Sequence, residues 1–466
     1  FCSMKFRTES DTLGKVKIPI DSLWGPQTQR SINNFNIGAK GSMPIEIIHA
    51  YAILKKACAK SNFELGVLDK NKMNLIINAC QQIIDGKHDK EFPLVIWQTG
   101  SGTQTNMNLN EVISHIAHIK EGKKLADNNK TLRSNDDVNK SQSSNDSFPT
   151  AMHIAAYKLV VEKAIPSIND FYKSLLNKVK EFENDVKIGR THLMDATPLT
   201  FGQEFSGYAS QVKHGLKSLE NSLDHLSELA IGGTAVGTGL NAPNGFDKIT
   251  VKNISDDCNI KFKVAENKFE ALAAHDAIIE THSALKQIAI SIYKIANDIR
   301  LLGSGPRAGF SELILPSNEP GSSIMPGKIN PTQCESICMV CAQVIGNDYT
   351  ISFAGTQGQL ELNVYKPLMA SKIIESLKLL SDAIISFNKN CIIGLKVNKK
   401  KITEHLNNSL MLVTALNNKI GYYKAAEIAN NAYKNRTTLK EEALKLKYLS
   451  EDEFDKWVDP KKMTGK

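Results

Sequence analysis

The ten residues Gly321–Asn330 (GSSIMPGKIN) combine several groups that could do chemistry with few that would help folding. Two neighbouring hydroxyls, Ser322 and Ser323, are followed by the ammonium of Lys328 and the amide of Asn330. Glycines and a proline between them favour a turn-rich loop. Such a set could hold a carboxylate and move a proton beside it. A Ser/Gly linker with a proline turn is the alternative interpretation of the same residues.

Three further segments rich in hydroxyls and amides interrupt an otherwise helical sequence pattern. They are Gly100–Asn110 (GSGTQTNMNLN), Asn135–Asn145 (NDDVNKSQSSN) and Gly189–Glu204 (GRTHLMDATPLTFGQE). The last segment places Thr191 and His192 in a loop just before the Pro-marked start of a long helix. A lone histidine is usually structural, and a neighbouring hydroxyl raises its functional interest only modestly.

Long helices must position these segments. Between about residues 150 and 390, apolar residues recur in alternating steps of four and three, which predicts long helices that meet at shallow angles. Because such helices bury more surface by associating, we expect an oligomer. The stripes are Phe205, Ala209, Val212, Leu216, Leu219, Leu223 and Leu226; Leu285, Ile288, Ile292, Ile295, Ile299 and Leu302; Ile373, Leu377, Leu380, Ile384 and Phe387; and, more loosely, Ile168, Phe171, Leu175, Val179 and Phe182.

The flanking regions have a different character. Residues 1 to about 45 are polar and turn-rich, and beyond about residue 400 the predicted helices shorten. Thr438–Glu441 and Ser450–Glu453 have the spacing of capping boxes, which mark helix starts. The sequence therefore predicts a mainly α fold in three domains: a mixed, helical domain over residues 1–140, a central long-helix bundle over residues 141–398, and a small helical domain over residues 399–466.

The composition is that of an ordinary globular chain of 466 residues, with 41% hydrophobic and 23% charged residues. Its formal charge is +8, but the cations are scattered, so we expect no nucleic-acid partner and some preference for small anionic substrates. No apolar stretch approaches the ~18 residues of a membrane span. Eight cysteines without a secreted pattern favour a reducing compartment, either cytoplasm or mitochondrial matrix. The opening Phe1-Cys2-Ser3, without Met, is compatible with a removed targeting segment or a cloning remnant.

GSSIMPGKIN is similar to the signature loop of the fumarase/aspartase superfamily, whose members eliminate or add across the C–C bond of a succinyl-type substrate. The other polar segments resemble the family's remaining active-site segments in the same order, and the likeness runs from about Thr8 to Lys466. Within the superfamily the chain resembles the class II, iron-independent fumarate hydratases. Two details favour that subgroup: Asn330–Glu335 (NPTQCE) closes the loop, and His192 stands where the similar aspartases carry Gln.

The resemblance implies reversible hydration of fumarate to L-malate, a reaction of the tricarboxylic acid cycle, without metal or cofactor. Ser322 would remove the C3 proton of malate, which requires its loop to lower the pKa of the hydroxyl through backbone N–H groups and Lys328. His192, oriented and made more basic by Glu335, would handle the water at C2. Lys328 and Asn330 would stabilise the carboxylate that gains charge, worth ~3 kcal/mol per well-placed donor. The other substrate-binding residues implied are Ser101, Gly102, Thr103, Ser143, Ser144, Asn145, Thr191 and Ser323.

Family members assemble each active site from three subunits of a homotetramer, and the resemblance implies the same for this chain. It also exposes a departure. Fumarases of this class commonly carry a His-Pro pair before the Asn-Asp of the second segment, as part of an accessory anion site, whereas here Arg133-Ser134 precedes Asn135 and Asp136. An accessory site could persist with a permanent cation, or it could be absent; we expect the main site to be unaffected.

Two motifs suggest other enzyme classes. Cys334, Cys338 and Cys341 spell CxxxCxxC, the spacing that radical S-adenosylmethionine enzymes use for an iron–sulfur cluster. On the predicted helix, the first and last of these would be ~10 Å apart along the axis, too far for one cluster. We therefore predict that they are small core residues. Gly232–Gly239 (GGTAVGTG) superficially resembles a nucleotide loop, but it follows a predicted helix and lacks GxGxxG, so we predict a tight turn.

Two other functions remain open within the same fold. Aspartate ammonia-lyase is the nearest enzymatic alternative, and release of ammonia from aspartate would identify it. A non-catalytic structural relative is the other, because fold does not guarantee activity. The complete set of Ser322, Lys328, Asn330, His192 and Glu335 argues against such a relative.

Overall fold

The structure is a computed structural model that describes residues 5–465. The prediction of a mainly α fold is confirmed, since helices dominate and the sheets within these residues are two-stranded. No helix among them combines the length and the apolar character that a membrane span requires. The opening Phe1-Cys2-Ser3 lies outside the described residues, and the other cysteines are free thiols.

The α-helices follow one another through most of the chain. In chain order they are α1 Pro26–Asn34, α2 Ile45–Glu64, α3 Lys70–Ile84, α4 Thr103–Lys120, α5 Ser144–Leu159, α6 Ile165–Glu181, α7 Phe201–Leu226, α8 Phe246–Cys258, α9 Lys268–Ala273, α10 Asp276–Leu302, α11 Thr332–Gly355, α12 Lys366–Phe387, α13 Lys399–Asn408, α14 Asn417–Ile420, α15 Tyr422–Asn435, α16 Leu439–Lys445 and α17 Glu451–Trp457. Single π-turns lie at Ser134–Val138 in the connection between α4 and α5, at Val160–Ala164 between α5 and α6, and at Asn388–Ile392 directly after α12.

The strands are short and pair locally. They are β1 Phe6–Asp11, β2 Gly14–Pro19, β3 Val186–Thr191, β4 Met194–Thr200, β5 Glu228–Leu229, β6 Lys263–Val264, β7 Leu313–Ile314, β8 Gly358–Gln359, β9 Leu362–Asn363 and β10 Lys396–Val397. The pairs are β1–β2, β3–β4, β8–β9 and β7–β10, all antiparallel, and the parallel pair β5–β6.

Helices occur where the apolar stripes predicted them, in α6, α7, α10 and α12. The stripe residues are almost all buried; Leu219, Ile295 and Ile373, for example, are 0% exposed. Both predicted capping boxes are formed, because Thr438 and Ser450 each accept a hydrogen bond from the N–H group three residues later. The chemistry of single residues therefore determines where these terminal helices begin.

The segment Gly189–Glu204 differs from its prediction. Most of it belongs to the β3–β4 hairpin instead of a loop that leads directly into a helix. His192 and Leu193 form the two-residue turn with φ of 57° and 61°, the left-handed values that two-residue hairpins favour. The sequence gives little sign of this turn, since Asn-Gly is its usual signature and Pro198 lies within β4.

The contacts between Cα atoms divide the chain into two compact units. The first runs up to Pro166 and also contains Lys217–Ala289 and Ala342–Ser381. Within it α2 packs against α3, α5 and α8. The rings of Tyr51 and Phe148 meet edge to face there, with centroids 6.1 Å apart.

The second unit contains Ser167–Leu216, Ile290–Cys341 and the chain from Asp382 onward. Its C-terminal helices enclose a compact apolar cluster of Ile188, Leu406, Leu412, Val413, Leu416, Ala425, Ile428, Ala432, Leu439, Ala443, Leu449 and Phe454. The predicted division at residues 140/141 and 398/399 stays a prediction.

Candidate active site

The loop Gly321–Asn330 closes on itself through hydrogen bonds at its base. The Gly321 N–H donates to the carbonyl oxygen of Lys328 at 2.8 Å, and Asn330 Nδ2 donates to the Gly321 carbonyl at 2.5 Å. Inside the loop, Ser322 Oγ accepts hydrogen bonds from the N–H groups of Ile324 (3.2 Å) and Met325 (2.9 Å). The oxygen of Ser322 therefore lies in a small nest of backbone donors, which favours negative charge on that atom.

Two other predicted catalytic residues are accessible to solvent. His192 is exposed at the tip of the β3–β4 hairpin, next to the exposed Thr191. Glu335 is exposed in the first turn of α11, directly after the loop. Ser323 and Lys328 are also exposed, so the loop presents its hydroxyl and its ammonium outward.

A buried carboxylate anchors the hairpin that carries His192. Arg190 forms a two-pronged ion pair with Glu312, with N–O distances of 2.8 and 3.1 Å. His405 Nδ1 lies 3.0 Å from the same carboxylate. Burial alone would raise the pKa of Glu312, but its bonds with Arg190 and His405 lower it. The carboxylate consequently stays charged and fixes the hairpin two residues before His192.

The segment Gly100–Asn110 proves to be largely helical, because α4 begins at Thr103. Gly102 is the N-cap residue, with φ of 76°, and a Cβ there would stand 2.2 Å from the Phe148 ring. Only glycine fits this turn. Ser101 and Thr103 on either side are half-buried, so the helix start presents both hydroxyls close together.

The segment Asn135–Asn145 contains the first π-turn and then the start of α5. Ser143 is the N-cap of α5 and Ser144 its first residue. Ser144 Oγ lies 2.5 Å from Thr103 Oγ1, so the fold joins two of the predicted substrate-binding segments. Asn145 donates through Nδ2 to the carbonyl of Ala235 at 2.8 Å, which adds the turn Gly232–Gly239 to the same region.

Several residues that the sequence analysis did not single out contact this region. Asp146, fully buried, accepts hydrogen bonds from the N–H groups of Ser143, Gly232 and Thr234. Lys55, also 0% exposed, donates to the side chains of Asn139 and Gln142. The sequence carried a signal for Lys55, because this lysine lies within the apolar helical run from Ile47 to Cys58 and buried lysines are rare without a partner.

The predicted accessory residues line a separate cavity of about 1110 Å³, together with residues of β1 and Lys130. Arg133 and Asp136 are both highly exposed, and their side chains are 3.9 Å apart. The backbone N–H of Arg133 donates to Asp137 at 2.8 Å. Asn135 lies beside them in the same wall, so the three predicted residues are brought together, and their role in anion binding stays a prediction.

Among residues 5–465, no group of three or more His, Cys, Asp or Glu side chains is arranged to hold a metal ion. Cys334, Cys338 and Cys341 lie on one helix, α11, and are buried. Their prediction as core residues is confirmed.

In the first unit the starts of α4 and α5 bring the hydroxyls of Thr103 and Ser144 together, and in the second unit one loop carries Ser322, Lys328 and Asn330. A family model described as a lyase matches residues 14–346, and one described as the fumarase C C-terminus matches residues 412–465. The chain belongs to this lyase family.

Similar proteins narrow the assignment of this chain within the lyase family. The chain is 60% identical over 462 residues to a class II fumarate hydratase of Pasteurella multocida, with 99% of each chain covered. It is 55% identical over 460 residues to a mitochondrial fumarate hydratase of Rhizopus oryzae, which covers 98% of this chain and 93% of that protein. The crystal structure of a class II fumarase from Schistosoma mansoni superposes with a TM-score of 0.96 at 44% identity and 99% coverage of both chains. Among the lyases, these likenesses put the chain with the class II fumarate hydratases.

Proposed function

We propose that the chain is a hydro-lyase that interconverts fumarate and L-malate, a step of the tricarboxylic acid cycle, by acid–base chemistry. The likeness to class II fumarate hydratases over nearly the whole chain favours this reaction over ammonia release from aspartate. The observation that carries the mechanism is the position of Ser322, whose oxygen accepts two backbone hydrogen bonds. Such donors stabilise an alkoxide more than a neutral hydroxyl, and an alkoxide is a competent base.

In the dehydration direction, the Ser322 alkoxide takes the proton from C3 of malate. The C–H electron pair moves into the neighbouring carboxylate, which Lys328 and Asn330 stabilise as its charge rises. The C2–O bond then breaks, and the leaving hydroxide receives a proton from His192 to become water. The electron pair returns to form the C2=C3 bond of fumarate, and the reverse sequence hydrates it.

The remaining residues hold the substrate. Ser101, Thr103 and Ser144 supply hydroxyls and Asn145 an amide, which bind carboxylates without placing further full charges in the site. Gly102 lets the backbone turn tightly enough to present these groups. Ser143, Thr191 and Ser323 complete the substrate-binding set, and Glu335 orients His192.

We further propose a homotetramer in which three subunits contribute to each site. The helix α11 supports association, because four large apolar side chains lie within an arc of ~120° on one face, at 100° per residue. They are Met339 (69% exposed), Ile345 (38%), Tyr349 (75%) and Phe353 (53%). An exposed apolar stripe of this length is typical of a surface that another subunit covers.

The test is to mix the purified chain with L-malate in EDTA and to follow the ultraviolet absorbance of fumarate. Activity should survive EDTA, and Ser322→Ala and His192→Asn should each lower kcat by ~100- to 10,000-fold. Ser336→Ala, an exposed serine on the neighbouring helix, should behave as the wild type. A chain that is silent towards malate but releases ammonia from aspartate would overturn the proposal.

For the compartment we propose the cytoplasm, with the mitochondrial matrix as the alternative. The absence of a cysteine pattern typical of secreted proteins supports both. Cell fractionation with an antibody against the chain would separate them, and recovery in a secreted fraction would contradict both.

A further inference from the structure

A buried cation is connected, through two hydrogen-bonded amides, to the hydroxyls that we assign to substrate binding. Lys55 on α2 is 0% exposed. Its Nζ donates to Gln142 Oε1 at 2.8 Å and to Asn139 Oδ1 at 3.2 Å. It also lies 5.5 Å from the centroid of the Tyr51 ring. Both hydrogen-bond acceptors are neutral amides, so neither of them cancels the charge of the ammonium.

A continuous chain of hydrogen bonds leads from this ammonium to the site. Asn139 Oδ1, which accepts from Lys55, also accepts from Asn106 Nδ2 at 3.0 Å. The same Asn106 nitrogen donates to Ser144 Oγ at 2.9 Å. Ser144 Oγ is in turn 2.5 Å from Thr103 Oγ1. Asn139 Oδ1 also accepts from Asn110 Nδ2 at 3.2 Å, and Asn139 Nδ2 donates to the Gln142 carbonyl, so Lys55 is one of several groups that orient this amide and the donors beyond it.

The number of hydroxyl hydrogens at the Ser144 end of this hydrogen-bonded series determines which ligand groups it can bind. Because Ser144 Oγ accepts from Asn106, its own hydrogen is available to donate. Thr103 and Ser144 together carry two hydroxyl hydrogens, and one of them lies between the two oxygens. The other remains for a ligand, whichever of the pair supplies it. An ionised carboxylate, which only accepts, is the matching partner.

The unfavourable desolvation of Lys55 also supports a role for this residue in binding a negatively charged ligand. Desolvation lowers the pKa of Lys55 to about 8, although Cys58, Asp146 and Cys80 act in the opposite direction. Burial of an ammonium is unfavourable unless a compensating negative charge is near, and the carboxylate of Asp146 supplies part of that charge. A bound dicarboxylate would add to it.

We infer that Lys55 is a positioning residue for the proposed reaction, which orients the amide–hydroxyl chain towards the ligand and makes the site prefer an ionised carboxylate over its neutral ester. The inference rests on the proposed function. Loss of Lys55 should therefore weaken binding of the dianion while the chemical step on bound substrate changes little.

The test compares Lys55→Met, which keeps length without charge, with Lys56→Met on the same helix. Lys56 is a fair control because, among the residues that the structure describes, its Nζ contacts Gln81 and Asp257 and neither Asn139 nor Gln142. The readouts are kcat and KM for L-malate and the inhibition constants of succinate and monomethyl succinate. In Lys55→Met, KM should rise about tenfold with kcat within about threefold, and the preference for succinate over its monoester should shrink about tenfold. Lys56→Met should match the wild type, and its activity on malate checks the proposed function independently.

Two results would overturn the inference. The first is a Lys55→Met enzyme whose KM and inhibitor preference stay within about threefold of the wild type. The second is equal weakening of both inhibitors, which would mean that Lys55 merely supports the fold.

If Lys55→Met does not fold, the wild type provides the same test through pH. Because burial lowers the pKa of Lys55 to about 8, its charged fraction should fall as the pH rises from 7 to 9, and the preference for succinate should decline with it. Of its titratable neighbours, Asp146 has its pKa raised by burial only to about 6, and burial raises the pKa of Cys80 to about 12, that of Cys58 further still and that of Tyr51 well above its usual value. A preference that stays constant over that range would overturn the inference as well.

Discussion

The geometry at the base of the catalytic loop makes Gly321→Ala a sharp perturbation. A Cβ at this position would stand 2.5 Å from the Lys328 carbonyl oxygen and 2.9 Å from the Asn330 backbone nitrogen, closer than Cβ atoms approach other heavy atoms in real structures. The loop must then open, which breaks the hydrogen bonds from Gly321 to Lys328 and from Asn330 to Gly321. At ~1 kcal/mol each, their loss amounts to ~2 kcal/mol, or a roughly 30-fold smaller population of the closed loop.

We therefore expect kcat/KM for malate, followed by fumarate absorbance, to fall about 30-fold in Gly321→Ala. The melting temperature should hardly change, because the loop is largely exposed and contributes little to the core. Gly327→Asn is the matched control: Gly327 has φ of 79°, which Asn tolerates, and no atom lies within 4 Å of its Cβ position. The reasoning is refuted if Gly321→Ala keeps more than about a third of the activity, or if both variants fall equally.

Three further outcomes follow from other parts of the molecule. Arg133→Ala should leave malate kinetics at the main site nearly intact, and a change of about a hundredfold, ~2.7 kcal/mol, would contradict the separation of the two sites. Ser376→Ala should lower the free energy of unfolding in urea by about 1–3 kcal/mol with kcat unchanged, since it deprives the buried ring of His282 of its 2.7 Å partner; an unaltered unfolding curve would contradict this. Burial alone would raise the pKa of Glu9, but hydrogen bonds with His115 and Lys130 lower it to about 2. The ionised carboxylate should therefore stabilise the fold above pH 4.5, and the free energy of unfolding should decline as the pH falls towards 2. Glu9→Gln should flatten that decline in acid unfolding curves, and an equally steep decline would show that other groups cause it.

Local sequence patterns predicted the helices well because they depend on nearby residues. The stripe from Phe205 to Leu226 marks α7, which runs over Phe201–Leu226, and the two capping boxes mark the starts of α16 and α17. The assignment of catalytic and binding roles to GSSIMPGKIN and to the other polar segments stays a prediction.

Features that depend on distant partners were not predicted. The two-residue turn at His192 and Leu193 uses residues that seldom take left-handed angles, and the pairing of β3 with β4 holds them there. The burial of Lys55 depends on Asn139 and Gln142, more than eighty positions further along the chain. Neither spacing nor composition reveals such a pairing.

The central proposal is a shared site, to which we assign Ser322 of one subunit and His192 of another, both acting on one substrate molecule. Ser322→Ala and His192→Asn chains, each nearly inactive alone, can be coexpressed with two affinity tags and isolated as mixed oligomers. If each site draws the two residues from different chains, about a quarter of the sites in a 1:1 mixture are intact, and activity should rise to about a quarter of the wild-type value. Mixed oligomers no more active than either parent would contradict the shared site.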